Sequence, residues 1–443
     1  HALAAPVSIA LKDQPLFAVP PDAGDSESES YSFREMAFMD ACTRCGLCVE
    51  VCPSAGAGEP FKPRDFILWA RENLRKRRDP LQRFVPGGMR ARKETLAVSG
   101  FDAERIWHCT TCRACLEVCP VYVATPDAMT VERARVVEQG VRVPASITGT
   151  LEKLFKYNNP WEASKKRRTA WSEGLEIPEF AKNEQPGGLC YFVGCTTSLE
   201  TRAQGLARAF SRILAQAGAP FGTLGKKEPC CGDIARRLGE AGLYEEQMED
   251  CLKLFQKRGI TDVVTSSPHC YHTFRNDYPA FCSRASEKHR VDIRVRHYTQ
   301  VLWELTRSGA IRLEKALPLT ATYHDPCYLG RYNGIYEAPR EVLRAIPGLR
   351  LVEMPHSGSN SLCCGGGGGR MWQEDLDADQ KMSEIRIREA ASTGAEVVIT
   401  ACPLCLIMLE DARKTAGFED TLKVLDLNEL LLQALGLAGE EEP

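Results

Sequence analysis

Apolar and polar positions alternate in two styles along this chain. "FILWARENLRKRR" at 66 to 78 has helical spacing and predicts an amphipathic helix, within a helix-rich stretch from about 31 to 155. Beyond residue 187 the text changes to short β-prone runs that end in cysteine. "LCYFVGC" at 189 to 195 aligns with "TATYHDPC" at 320 to 327, "EPCCGD" at 228 to 233 with "SLCCGG" at 361 to 366, and "VVTSSPHC" at 263 to 270 with "VVITACPLC" at 397 to 405. The cysteines correspond at offsets of 132, 133 and 135 residues. The exits match as well: "RHYTQVLWEL" at 296 to 305 and "LDLNELLLQAL" at 425 to 435 each read as a strand end leading into a helix. A duplicated α/β unit follows, with cysteine loops where strands end.

These patterns divide the chain into an extended acidic arm (1–30), a helical domain (31–155), a linker without sustained period (156–187), and two repeats (188–311 and 312–437). The fold class is therefore α plus α/β. With 443 residues, 44% hydrophobic and 26% charged, the chain has room for two or three domains. A net charge of -3 gives no reason to expect nucleic acid. The longest apolar runs fall short of the roughly 20 residues of a membrane span, so membrane association is expected only through a partner. The chain begins at His1 rather than Met, and a longer gene product is expected.

Twenty cysteines change the picture. "CTRCGLCVEVCP" places Cys42, Cys45, Cys48 and Cys52 before Pro53, and "CTTCRACLEVCP" places Cys109, Cys112, Cys115 and Cys119 before Pro120. This doubled run is metal-ligand spacing, which implies a reducing compartment rather than disulfides. In two-cluster ferredoxins the fourth cysteine of each run ligates the other cluster. Cys42, Cys45, Cys48 and Cys119 are thus expected to hold one cubane [4Fe-4S] cluster, and Cys109, Cys112, Cys115 and Cys52 the second. Paired zinc sites are the competing reading.

The second repeat gathers Cys327, Cys363, Cys364, Cys402 and Cys405, one thiolate more than a cubane needs. Together "DPCYLGR", "CCGG" and "ACPLC" resemble the cysteine-rich CCG domain of heterodisulfide reductase and its relatives, which carry it twice, often behind a two-cluster ferredoxin domain. Those relatives include iron-sulfur subunits of glycolate, lactate and anaerobic glycerol-3-phosphate oxidation, and of transmembrane redox complexes of sulfate reducers. The resemblance implies a disulfide-cleaving noncubane [4Fe-4S] cluster on these five cysteines. Gly365 and Gly366 are expected to line it, and His324, which titrates near neutrality, is a candidate proton donor.

The first repeat supplies Cys195, Cys230, Cys231 and Cys270, but Ser267 stands where the second has Cys402. A hydroxyl is a poor soft-metal ligand, leaving three outcomes: a cubane or altered cluster, a zinc or empty site, or a noncubane cluster lacking one bridge. His269 and His272 could substitute as ligands, although such histidines more often lie outside the ligand set or at the surface. Cys190 and Cys251 read as small core residues. "KKRR" at 165 to 168, flanked by Trp161 and Trp171, is a candidate docking segment. "SGSNSLCCGGGGG" lacks the strand, Lys and Ser/Thr of a phosphate loop, so no nucleotide is expected.

The implied function is an iron-sulfur electron-transfer subunit of a membrane-associated anaerobic complex. It would work beside a membrane-anchored cytochrome or quinone-reactive subunit on the cytoplasmic face, with a disulfide or carrier as possible substrate. A relay subunit of a flavin-dependent dehydrogenase and a zinc-stabilised assembly scaffold are the alternatives.

Overall fold

A computed structural model describes residues 33–78, 104–140, 142–180, 188–282, 292–373 and 378–437. The proposed arm at 1–30 lies outside the described residues. Two compact units emerge. The first comprises residues up to 149 together with 234–241 and 367–380, and the second comprises 150–233, 242–366 and 381 onward. Two short segments that the sequence pattern gives to the repeats therefore cluster with the helical unit.

In the first unit, α1 (Pro63–Arg78) fulfils the predicted amphipathic helix and buries Phe66, Ile67 and Ala70. Helix α2 (Thr125–Gln139) has Pro126 in its first turn and ends at Gly140, whose φ of 62° gives the left-handed cap that terminates a helix. It buries Met129, Val136 and, unusually, the whole side chain of Arg133.

The second unit holds both repeats. Strands β1 (Leu189–Phe192), β2 (Phe221–Thr223), β3 (Asp262–Thr265) and β4 (Arg294–His297) form a sheet in the order β2-β1-β3-β4. Strands β5 (Thr320–Tyr323), β6 (Arg350–Val352), β7 (Val397–Thr400) and β8 (Lys423–Asp426) repeat it as β6-β5-β7-β8. Every pairing is parallel, so each connection crosses over. The central strands β1 and β7 are buried along their whole length, which explains their continuous apolar text.

The helices needed below are α3 (Thr201–Gln216), α4 (Pro268–His272), α5 (Tyr298–Arg307), α6 (Pro403–Thr415) and α7 (Leu427–Ala434). One core joins the repeats: Tyr191, Phe210 and Tyr298 of the first belong to the same buried cluster as Tyr323, Val397 and Leu431 of the second. Each such side chain contributes about 1.5–3 kcal/mol by leaving water.

Residues 156–180 are not an open linker. A 3-10 turn at Lys165–Ser172 buries Arg168 and Trp171, and Trp171 meets the Tyr191 ring edge-on at 6.2 Å. Lys165, Lys166 and Arg167 stay exposed, so three charges of the basic block face solvent and the fourth is structural.

Candidate metal centres

Both four-cysteine runs take the same backbone path. Arg44 and Gly46 in the first, and Thr111 and Arg113 in the second, have φ between 53° and 91°. Left-handed residues at these spacings turn successive N–H groups toward one side, a concavity suited to an electronegative group. The Thr111 N–H donates to Cys109 Sγ at 3.4 Å and the Val123 N–H to Cys119 Sγ at 3.3 Å. A short helix lies within each run and carries its third cysteine, Leu47–Glu50 with Cys48 and Ala114–Glu117 with Cys115. Extended backbone at Cys52, just before Pro53, turns that fourth cysteine away from its own run.

The eight thiols gather around two cavities. Burial raises Cys48 to about 11, helped by the nearby charges of Cys119, Cys42 and Cys45. Burial likewise raises Cys109 to about 11, opposed by Arg133, and it raises Cys52, which lies within reach of Cys112 and Cys109. Cys52, Cys109, Cys112 and Cys115 line one cavity, and Cys42, Cys45, Cys48 and Cys119, joined by Cys115, line another. Thiols crowded and dried in this way ionise only at high cost, unless a soft metal takes the thiolates. The donor set therefore fits iron-sulfur clusters.

In each repeat the sites form at the carboxyl ends of the two central strands, where the strand order reverses. In the second, half-buried Cys327 follows β5, and Cys402 stands at the residue before α6, just beyond β7. Cys405 Sγ lies 3.3 Å from Cys364 Sγ. Hydrogen bonds from Cys363 and Cys405 hold Cys364 well below its ordinary range. The Gly365 N–H donates to Cys363 Sγ at 3.3 Å, and that of Gly366 is directed at Cys364. A Cβ on Gly366 would come within 3.0 Å of Met408 Cγ, so there is no free space for one. The remainder of the glycine run serves the first unit, where a Cβ on Gly367 would stand 2.5 Å from the Thr110 carbonyl oxygen.

One imidazole nitrogen of His324 lies within 4.8 Å of both the Cys364 and Cys405 sulfurs. Burial, then the adjacent Arg386 guanidinium, holds His324 far below its ordinary value. Arg386 Nε donates to His324 Nδ1 at 3.0 Å, which fixes the single ring proton on Nε2. His324 is thus a neutral N–H donor, and its reading as an acid titrating near neutrality is corrected. Asp325, next along the chain, is held from two sides. Arg340 grips it through two contacts of 2.7 and 2.8 Å, and it accepts the Gly358 N–H at 2.8 Å.

In the first repeat, hydrogen bonds link Cys195 with Cys230 and Cys231 with Cys270, and all four thiols are buried. Gly194 leaves only 3.4 Å between a would-be Cβ and Cys270 Sγ. Ser267 Oγ caps α4 by accepting the Cys270 N–H at 3.4 Å, whereas Cys402 makes no such cap. His269 is buried and bonded through Nδ1 to Asp233 at 2.8 Å, and its ring stacks on Tyr328 at 3.9 Å. His272 is buried too, its Nδ1 bonded to Asn276 at 2.9 Å, so neither histidine is a surface residue. Cys190 and Cys251 are buried as expected, and Cys251 donates to the Cys230 carbonyl.

Comparison with known proteins agrees with this layout. Residues 37–123 match the 4Fe-4S dicluster domain, and residues 189–275 and 321–410 match the cysteine-rich domain. The D subunit of dihydromethanophenazine:CoB–CoM heterodisulfide reductase from Methanosarcina barkeri is 33% identical over 91% of this chain and 96% of its own length. The chain belongs to the heterodisulfide reductase D-type family. Other members include the probable iron-sulfur-binding oxidoreductase FadF of Bacillus subtilis, 34% identical over 94% of this chain, and the EtfAB:quinone oxidoreductase of Syntrophomonas wolfei, 30% identical over 93%. The chain spans 63% and 60% of those two proteins' lengths.

For a D-type chain, spacing exposes the thiols but not the arginines that position them. Arg340 and Arg386 serve the second repeat from helices far along the sequence. Arg331 donates to the Ser359 and Ser361 carbonyls at 3.1 and 2.8 Å, just ahead of Cys363. No periodic signal marks any of the three. No described helix is long and apolar enough to cross a membrane.

Proposed function

We propose that this chain is the iron-sulfur electron-transfer subunit of a membrane-associated redox complex. Two cubane [4Fe-4S] clusters would sit on the exchanged cysteine sets, Cys42, Cys45, Cys48 and Cys119, and Cys52, Cys109, Cys112 and Cys115. Cys327, Cys363, Cys364, Cys402 and Cys405 would hold a noncubane cluster in the second repeat. Such clusters supply one-electron steps, and at a five-thiolate site they could serve two-electron cleavage of a disulfide.

The convergence of buried thiols at the β5 and β7 ends carries this reading, since Gly365 and Gly366 bring backbone N–H groups to Cys363 and Cys364. His324 would add an oriented N–H donor without becoming charged. At the first repeat the four thiols suffice for a cubane or for zinc, and Ser267, committed to capping, argues against a fifth ligand there. Likeness to D subunits favours a membrane cytochrome or quinone-reactive partner on the cytoplasmic face. Likeness to the EtfAB:quinone oxidoreductase favours a relay between a flavoprotein and quinone, as the second reading.

Anaerobic purification with iron and sulfide analysis tests the cluster content. Fewer than about eight irons per chain sinks the two-cubane reading. A thiol-sensitive paramagnetic signal on oxidation supports disulfide chemistry, and its absence favours the relay.

A further inference from the structure

The segment that precedes the first repeat packs at the carboxyl ends of β1 and β2. Phe180 donates its N–H to the Thr223 carbonyl and Thr223 donates to that of Pro178, both at 2.9 Å, so residues 178–180 run beside β2. Between this segment and the strand ends lies a cavity of about 190 Å³. A cavity of about 150 Å³ holds a benzene-sized molecule, so this one has room for a compound of roughly six to eight non-hydrogen atoms. Four charged side chains line it, Arg168 and Lys226 against Glu179 and Glu228. Lys226 and Glu179 are exposed, so the cavity reaches solvent on their side, whereas Arg168 and Glu228 are buried.

The buried pair is unequally satisfied. Glu228 commits both carboxylate oxygens to backbone, accepting the N–H groups of Gly194 and Val193 at 2.8 and 2.9 Å. Arg168 donates from Nη2 to the Asn158 carbonyl at 2.9 Å. Its buried Nη1 stands 3.5 Å from Glu228 Oε1 and makes no hydrogen bond with any described residue. A buried donor left without an acceptor is costly, and this one faces a cavity large enough to admit one. The second repeat differs, because Arg340 closes on Asp325 with both Nη1 and Nη2, at 2.7 and 2.8 Å. Gly225 lines the same cavity in a left-handed conformation, with φ of 56°. A Cβ there would collide with the Glu179 carboxylate, so glycine is what lets that carboxylate lie against the lining.

We propose that this cavity binds a small zwitterion of amino-acid size, with its carboxylate on Arg168 Nη1 and Lys226 and its ammonium on Glu179. The charges select this class. Two cations against two carboxylates leave the lining without net charge, so a ligand carrying one sign alone gains attraction from one pair and meets repulsion from the other. A zwitterion gains from both. Arg168 also connects the cavity to the first-repeat thiols. Glu228 holds the loop that leads to Cys195, and Asn158 Oδ1 accepts the Cys230 N–H at 2.5 Å. The site requires neither the cubane pair nor the noncubane centre, and its failure would leave both readings untouched.

The test is isothermal titration calorimetry of the purified full chain with three probes: L-alanine, propionate, which lacks the ammonium, and ethylammonium, which lacks the carboxylate. L-Alanine is expected to bind saturably below about 10 mM, and each half-molecule at least about tenfold more weakly. Glu179→Gln and Lys226→Gln alter exposed side chains that solvent screens, so each should weaken L-alanine about threefold. Arg168→Met removes the buried donor and should abolish binding. Should that variant fail to fold, the two exposed variants decide. No saturable binding of L-alanine below about 10 mM, either half-molecule binding as tightly as L-alanine, or an unchanged affinity in either exposed variant would overturn the proposal.

Discussion

The two repeats fasten their cysteine loops with the same device built in opposite directions. In the first, Glu228, two residues before Cys230, accepts the N–H groups of Val193 and Gly194 at 2.9 and 2.8 Å, with Arg168 at 3.5 Å from its carboxylate. In the second, Asp325, two residues before Cys327, accepts the N–H of Gly358 on the loop leading to Cys363, with Arg340 as its cation. A buried carboxylate thus ties the strand-end loop to the double-cysteine loop in both, although it is anchored on different loops. Duplication preserved the requirement and not the residue. Burial leaves Glu228 at about 7 beside its more distant arginine, while Asp325 has the closer, two-pronged partner. The firmer tether belongs to the five-cysteine site.

The largest expected effect separates the repeats by their metal content. Cys364→Ala should remove the second-repeat centre, with a loss of roughly four irons per chain and of the thiol-sensitive signal. Cys270→Ala should leave that signal intact. Equal losses in both variants would mean that the repeats share one centre.

Next comes the tether. Arg340→Met leaves Asp325 buried without its cation and should cost about 3–5 kcal/mol in denaturant unfolding. A change below 1 kcal/mol would show that Gly358 alone satisfies the carboxylate.

A smaller change would make the repeats more alike. Ser267→Cys restores the fifth thiolate and surrenders the cap of α4, at about 1 kcal/mol. Iron content and Mössbauer spectra should show added or altered iron at the first repeat. Unchanged spectra would mean that the site around Asp233 and His269 no longer accommodates a noncubane cluster.

The smallest effects sharpen the comparison at the strand exits. His297 opens α5 and Asp426 opens α7, and Tyr298 donates to both oxygens of Asp426 at 2.9 and 3.0 Å. Burial lowers His297 to about 3, so the unfolded chain binds more protons there and stability falls as pH drops below 6.5. Burial raises Asp426 to about 8, so the native state binds more protons and stability falls as pH rises from 4 toward 8. Asp426→Asn should flatten the decline toward pH 8, and His297→Gln the decline toward acid, in urea midpoints measured across that range. The reverse assignment of the limbs would refute the sign.

Much of this was legible in the residues themselves. The doubled cysteine run carried the expectation of an exchanged grouping, because a turn before proline points the fourth thiol away from its own loop. The repeat was visible because parallel strands buried on both faces leave unbroken apolar text. His324 was visible as a neighbour of the site but not as a neutral donor, since only Arg386, 62 residues on, decides its tautomer. Residues 156–180 looked like a linker because their order comes from Trp171 packing on Tyr191 rather than from any period of their own. The glycine run is small for more than one reason. Its first two residues do face the Cys363 and Cys364 sulfurs, but Gly367 and Gly368 are small for a different reason, the carbonyls of Thr110 and Cys109.

Sequence alone determined the elements, the duplication, the thiols and the missing fifth cysteine, because local spacing dictates which way neighbouring side chains turn. Tertiary structure decided what surrounds those thiols. Arg133 holds the Cys109 carbonyl, Arg340 holds Asp325 and Arg386 holds His324, contacts made through space, where spacing along the sequence carries no record of them.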